Sequence, residues 1–167
     1  MRIINLFLLI ALALSSTDYH QGTNHLYYIQ YNTRYTVDMS RYPEGYLPAG
    51  HSYYFGLAVE RNDQMHVECR VYNSAVIYFK VDVCVFNHEP SVTEVLTGGQ
   101  TTCAGSLEYT KSVSGNLDIY TFPFQTGQYV THIAVHLQNQ HSLDFLDVLI
   151  YSEKGMGAAI IVLIILA

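Results

Sequence analysis

The sequence has no tryptophan, only three cysteines and four prolines, and few charged residues, which make up 13% of the chain. Its 8 lysines and arginines are outnumbered by 14 aspartates and glutamates, so the formal net charge is −6. A nucleic-acid-binding surface needs a basic cluster, which this acidic chain lacks. Half of the residues are hydrophobic, a proportion that excludes a disordered chain. The composition therefore predicts one folded domain without a nucleic-acid partner.

The N-terminus has the three parts of a secretory signal. Arg2 is followed by an apolar stretch over residues 3–14, interrupted only by Asn5, and then by small residues. This order predicts a signal peptide over residues 1–16. The stretch is shorter than the ~20 apolar residues that span a bilayer.

The C-terminal residues 155–167 carry no charge. Three interpretations are open: the start of a transmembrane helix, a lipid-anchor signal attached at Gly155 or Ser152, or a buried last strand. We expect the first, with the tail attaching the protein to a membrane. Residues 17–154 then form the extracytosolic domain, in the secretory pathway, at the cell surface or outside the cell.

Short alternating segments separated by turn residues dominate the region between the two ends, and no segment there keeps a helical apolar period. Within residues 65–72, four apolar side chains are predicted to share one strand face: Met65, Val67, Cys69 and Val71. Fifteen tyrosines and seven phenylalanines also favour strands. The sequence predicts a single antiparallel, jelly-roll-like β-sandwich of about eight strands, which is an all-β fold.

Strand alternation also indicates which of the cysteines can form a disulfide. Cys69 falls on the apolar face of its predicted strand, Cys84 on the polar face of the next, and Cys103 in a loop-rich stretch. A Cys69–Cys84 bridge would have to join opposite faces of the sheet. We therefore expect a Cys84–Cys103 disulfide, a buried Cys69 thiol and an oxidising compartment.

Two stretches carry a family resemblance. Residues 47–55, with the pattern Gly50-x-x-Tyr53-x-Phe55, and the alternating residues 65–71 resemble the pre-peptidase C-terminal domain. The resemblance implies a jelly-roll-like accessory domain with a binding or stabilising role and no catalysis. The order of signal, β-domain and apolar tail is also similar to the GOLD-domain cargo receptors. That family has a long coiled coil before the membrane, and only residues 151–154 intervene here, so the relation is disfavoured.

Residues suited to metal binding or catalysis form no recognisable motif. His132 and His136 share a strand face but lie ~13 Å apart at ~3.3 Å per residue, too far to share a metal ion. No closely spaced calcium loop and no nucleophile elbow occurs. Four aspartates are expected to be solvated carboxylates of strands and turns: Asp82, Asp118, Asp144 and Asp147. The sequence predicts no metal, no cofactor and no enzymatic activity.

The tyrosines of the N-terminal third indicate a binding surface, because tyrosine combines an apolar ring with a polar tip. The residues we expect to bind are Tyr27, Tyr28, Tyr31, Tyr42 and Tyr46. The alternative is that half of the tyrosines belong to the core. The sequence favours a non-enzymatic cell-surface or secreted module that binds a protein or a glycan. A structural coat component is the second hypothesis, and a secreted hydrolase and a GOLD-like cargo adaptor are less favoured than it.

Overall fold

The computed structural model describes residues 18–72, 79–97 and 103–154. These residues contain eleven strands, one α-helix, α1, at Val92–Leu96, and one 3-10 helix at Met39–Arg41. The strands are β1 (Asp18–Gln21), β2 (Asn24–Tyr28), β3 (Tyr35–Thr36), β4 (Ser52–Ala58), β5 (Gln64–Tyr72), β6 (Phe79–Phe86), β7 (Cys103–Ala104), β8 (Thr110–Ser114), β9 (Leu117–Gln125), β10 (His132–Asn139) and β11 (Asp147–Ser152).

The strands form two sheets packed face to face. The first has the order β1-β2-β4-β10-β6-β7 and the second the order β3-β11-β5-β9-β8. This confirms the all-β sandwich that the sequence predicts. The strand number exceeds the predicted eight because β1, β3 and β7 have four residues or fewer, too short to show alternation of their own.

One pair departs from the antiparallel arrangement, since β2 and β4 are parallel. After β2 the chain crosses to the second sheet, where β3 pairs with β11, and then returns through residues 37–51. It re-enters the first sheet at the end where β2 began. Asn24 therefore lies opposite Ser52, and His25 lies opposite Tyr53.

The main core lies between the sheets and follows the alternation of the strands. In β5 the inward residues Met65, Val67 and Cys69 are fully buried, as predicted, while His66 and Glu68 face outward and are half-buried. The largest buried side chains from the other strands include Tyr53, Phe55, Phe122, Leu137 and Ile150. Burial of this apolar area is the dominant favourable term in folding.

Helix α1 builds a second, smaller core on the outer face of the first sheet. Its N-cap Ser91 accepts a hydrogen bond from the Glu94 backbone N–H at 3.2 Å, and the Glu94 carboxylate accepts one from the Ser91 N–H at 3.3 Å. The helix buries Val95 and Leu96 against the sheet. We call the resulting cluster the helix-covered patch; it consists of Leu26, Tyr54, Cys84, Phe86, Val95, Leu96 and Ala134.

A disulfide joins Cys84 to Cys103, which lie directly opposite each other in β6 and β7 with their Cα atoms 3.9 Å apart. Cys69 is a buried free thiol, and burial raises its pKa. Both features confirm the prediction. Cys84 shares a strand face with Lys80 and Asp82, as predicted, but this polar face is not exposed at Cys84, because α1 covers it there and leaves Cys84 only 3% exposed.

The four aspartates do not all behave as solvated carboxylates. Asp144 is exposed, as expected, but Asp82, Asp118 and Asp147 are buried. Asp118 pairs with Lys111 at 2.9 Å, and Asp147 pairs with Arg34 at 3.2 Å. A long basic side chain thus reaches each of these two carboxylates, an arrangement that strand alternation alone does not reveal.

The predicted signal peptide and the entire apolar tail, residues 155–167, lie outside the described residues. Within the ranges that the structure describes, no helix has the length and apolar character needed to cross a membrane. The attachment of residues 155–167 to a membrane stays a prediction.

Candidate functional site

A cleft of about 720 Å³ opens at one end of the sandwich. The β1–β2 hairpin forms one wall and the segment between the 3-10 helix and β4 forms the other. The cleft is lined by Asp18, Tyr19, His20, His25, Tyr27, Arg41, Tyr42, Pro43, Glu44, Pro48 and His51. Its volume lies within the ~300–1,000 Å³ range of small-ligand sites.

The hairpin positions the first histidines of the cleft. The turn between β1 and β2 contains Gly22 at φ +61°, a conformation that glycine adopts without strain. Across this turn His20 lies directly opposite His25. The parallel pairing of β2 with β4 then places His25 opposite Tyr53. His51 comes two residues before Tyr53 in the chain, and its ring lies beside that of His25.

Three rings consequently stack around that of His25. Its ring centroid lies 6.4 Å from that of His20, 5.2 Å from that of His51 and 5.2 Å from that of Tyr53. His25 Nε2 and His51 Nδ1 are 3.0 Å apart, a hydrogen-bond distance at which one nitrogen donates and the other accepts. We call His20, His25, His51 and Tyr53 the histidine stack.

The histidine stack disfavours positive charge at its centre. Burial first, and then the neighbouring His51 and His20, lower the pKa of His25 to about 4, whereas Asp18 opposes the shift. At neutral pH the His25 imidazole is therefore uncharged. It presents an apolar ring and one polar nitrogen to the cleft.

Two tyrosines form the floor of the cleft. The hydroxyls of Tyr27 and Tyr42 hydrogen-bond to each other, and both side chains belong to the main core. Burial raises the pKa of both. Tyr53 donates its hydroxyl to the Pro48 carbonyl oxygen at 2.9 Å, and burial raises its pKa as well. The floor thus offers neutral phenol hydroxyls.

The charged residues of the cleft lie at its rim. Asp18 forms an ion pair with Arg41 across the opening. Asp38, at the N-cap of the 3-10 helix, accepts the Ser40 N–H at 3.0 Å and lies 3.5 Å from Arg41. Glu44 is exposed beside them. Among the lining residues two carboxylates, Asp18 and Glu44, stand against one guanidinium, Arg41, so the rim carries a small net negative charge.

The structure brings two of the five sequence-predicted binding residues, Tyr27 and Tyr42, into this cleft. Tyr28 points to the other face of the sheet and packs at the edge of the helix-covered patch. Tyr31 packs against the main core, and Tyr46 is half-buried in the loop before β4. No common surface unites the five.

Sequence reasoning missed the histidines and the rim pair Asp18–Arg41. His20 and His25 could have been found, because a short hairpin around Gly22 places them opposite each other. His51 could not, since its position depends on the parallel pairing of two strands separated by more than twenty residues. The structure places no group of three or more His, Cys, Asp or Glu side chains where they could hold a metal ion, within the ranges described.

Comparison with known proteins gives little. No family model and no curated protein matches the chain. A solved structure, the pre-peptidase C-terminal domain of collagenase from Bacillus anthracis, is similar with a TM-score of 0.39 and 10% sequence identity. The similarity covers 78% of this chain and 99% of that domain. It is the same type of domain that residues 47–71 resemble, and at this TM-score no site or role carries over from it.

Proposed function

We propose that this chain is an extracytosolic module whose cleft binds a neutral glycan without covalent chemistry. The observation that carries the proposal is the combination, in one concave surface, of stacked neutral rings, phenol hydroxyls and a charged pair. A sugar unit offers apolar C–H faces for rings such as that of His20, and hydroxyls for groups such as Tyr42 and Arg41. The small net negative charge of the rim favours an uncharged ligand over an anionic one.

The disulfide supports a location outside the cytosol. Bridges such as Cys84–Cys103 persist in oxidising environments and are rare in the cytosol. Together with the predicted signal peptide, the bridge supports secretion or display at the cell surface, with residues 155–167 as the membrane attachment. N-terminal sequencing of the protein from its source cells tests this. We expect cleavage after residue 16 or within two residues of it, and intact Met1 in the cytosol would contradict it.

Binding is best tested with neutral oligosaccharides on a glycan array, followed by calorimetry with the strongest of them. His20→Ala removes an exposed ring of the histidine stack, and His141→Ala, an exposed histidine outside the cleft, is the matched control. We expect about tenfold weaker binding for His20→Ala, the equivalent of ~1.4 kcal/mol, and unchanged binding for His141→Ala. Equal affinities for the two variants, or no bound oligosaccharide, would refute the proposed site.

Tyr42→Phe provides a second, milder variant. It keeps the ring and the packing but removes one of the paired hydroxyls in the floor of the cleft. If the glycan hydrogen-bonds to that pair, its affinity falls while the free energy of unfolding changes by only ~1 kcal/mol.

A further inference from the structure

Three polar side chains meet on the outer face of the first sheet, on the opposite side from the cleft. They come from three neighbouring strands: Ser52 from β4, His136 from β10 and Asp82 from β6. His136 lies directly opposite Asp82, and Ser52 lies opposite Gln138, two residues further along β10. Ser52 Oγ is 2.9 Å from His136 Nε2, and His136 Nδ1 is 3.4 Å from Asp82 Oδ2.

The carboxylate determines which imidazole nitrogen carries the proton. Asp82 is 7% exposed, and its Oδ2 is the acceptor that faces Nδ1 of His136 across an ion-pair distance of 3.4 Å, so we assign the ring proton to Nδ1. Nε2 is then the free acceptor, aimed at the Ser52 hydroxyl. Lys80 Nζ lies 3.7 Å from the same Oδ2, so a cation also stands beside this carboxylate. This is the order of groups that activates a serine hydroxyl as a nucleophile.

The imidazole is also held in place and uncharged. The Tyr54 ring stacks on it with the centroids 4.6 Å apart, and the side of Tyr54 away from solvent packs into the helix-covered patch. Burial lowers the pKa of His136, whereas Asp82 raises it and Lys80 lowers it. Tyr54 and Ser52 face the ring from β4 and stay neutral. A neutral, oriented imidazole is the form required of a general base.

We propose that Ser52 is a nucleophile, with His136 as its general base and Asp82 as the positioning residue, that hydrolyses small carboxylic esters. Ser52 Oγ bonds to the ester carbonyl carbon while its proton passes to His136 Nε2. The bond to the alkoxy group then breaks, and the alcohol leaves with that proton. A water molecule, deprotonated by the same Nε2, attacks the acyl-serine, and the carboxylic acid leaves as Ser52 regains its proton.

Stabilisation of the oxyanion must come from side chains. The Ser52 backbone N–H donates to the Thr23 carbonyl oxygen at 3.0 Å, so it is not available. Gln138 lies opposite Ser52, and Lys80 lies opposite Gln138, both on the same sheet face. Their N–H groups are the donors that the register offers. Loss of one such donor costs about 10²–10³ in rate in established hydrolases, so we expect this side-chain arrangement to be slow.

The Tyr54 hydroxyl competes for the serine proton. A hydrogen bond from Ser52 partly offsets the rise that burial gives the pKa of Tyr54. When Ser52 donates to Tyr54 it does not donate to His136, and its oxygen is not activated. Tyr54→Phe removes this competitor and keeps the ring that stacks on His136.

The test is labelling of the full chain, purified with its disulfide, by an alkyl fluorophosphonate. In this reaction a Ser–O–P bond forms, the P–F bond breaks and fluoride leaves. We expect one adduct, at Ser52 by peptide mapping. Labelling should fall at least tenfold in His136→Gln and stay unchanged in His132→Gln, a control on the same face of β10. An unlabelled Ser52, or equal labelling in the two histidine variants, would overturn the proposal.

Two further variants separate the roles. Asp82→Asn should slow labelling and change its pH profile, because Nδ1 then loses the carboxylate that faces it, whereas a purely structural role would leave the profile unchanged. Tyr54→Phe should label at least as fast as the native chain.

Hydrolysis of p-nitrophenyl acetate gives the complementary readout. Activity must disappear in Ser52→Ala. Activity retained in a folded Ser52→Ala chain would show that His136 itself, not Ser52, attacks the ester.

Discussion

His25 and His136 lie on opposite faces of the same sheet, and burial lowers the pKa of both. Their neighbours differ. His25, on the inner face, stacks between two further histidines, each of which lowers its pKa again. His136, on the outer face, faces Asp82, which raises its pKa. Both imidazoles are therefore shifted toward the neutral form, and at His136 the carboxylate of Asp82 opposes that shift.

The comparison shows how the choice of neighbouring strand determines what a buried histidine can do. Parallel pairing brings β2 beside β4 and adds rings to His25, which suits contact with an uncharged ligand. Antiparallel pairing brings β6 beside β10 and adds a carboxylate to His136, which suits proton transfer. The same sheet thus supports two different proposals on its two faces.

The largest difference between the inner and outer faces of the first sheet should appear in how much their packed side chains contribute to the free energy of unfolding. Phe122→Ala empties a fully buried site of the main core and should reduce the free energy of unfolding by about 3–5 kcal/mol. Leu96→Ala, in the helix-covered patch, should cost about 2 kcal/mol, because a five-residue helix can move to fill the space. Urea unfolding of both variants measures the difference. A larger loss for Leu96→Ala would mean that α1 is essential for the sandwich.

The next prediction concerns the stability that the disulfide adds on the outer face of the first sheet. Cys84 and Cys103 are separated by 19 residues, and the chain-entropy estimate for closing such a loop is about 3 kcal/mol. We expect the Cys84→Ala/Cys103→Ala double variant to lose that stability, and Cys69→Ala to lose about 1 kcal/mol through a small cavity. Thermal unfolding with and without reductant checks this. Reductant should destabilise the native chain and leave the double variant unchanged.

Much of the fold could be predicted from residue alternation. The inward side of β5, the pairing of Cys84 with Cys103 and the buried Cys69 all follow from which residues share a strand face. The burial of Cys84 could not be predicted from alternation, because it depends on the short helix α1 packing over the outer face of the first sheet. The five residues of α1 are too few to show a helical period, although Ser91-x-x-Glu94 is a readable capping box.

The candidate sites depend on contacts between strands, which alternation does not specify. The cleft needs β2 parallel to β4, and the Asp82–His136–Ser52 arrangement needs the order β4-β10-β6 with a particular register. Asp82 and His136 are more than fifty residues apart in the chain. The sequence therefore indicated that His136 shares a face with His132 but not that its partners are a serine and an aspartate.

The pH dependence of stability separates the two histidines directly. In the unfolded chain both protonate near pH 6.5, whereas His25 in the folded chain protonates at about pH 4. Between these values the unfolded state binds more protons, so the free energy of unfolding falls as the pH is lowered from 6.5 to 4, by an amount on the order of 2 kcal/mol. His25→Gln removes this contribution and should flatten the profile. His136→Gln should flatten it less, because Asp82 opposes the shift of His136. Urea unfolding from pH 7 to pH 4.5 gives the two differences from the native chain, and an equal or larger flattening for His136→Gln would show that Asp82 does not act on His136 as the geometry indicates.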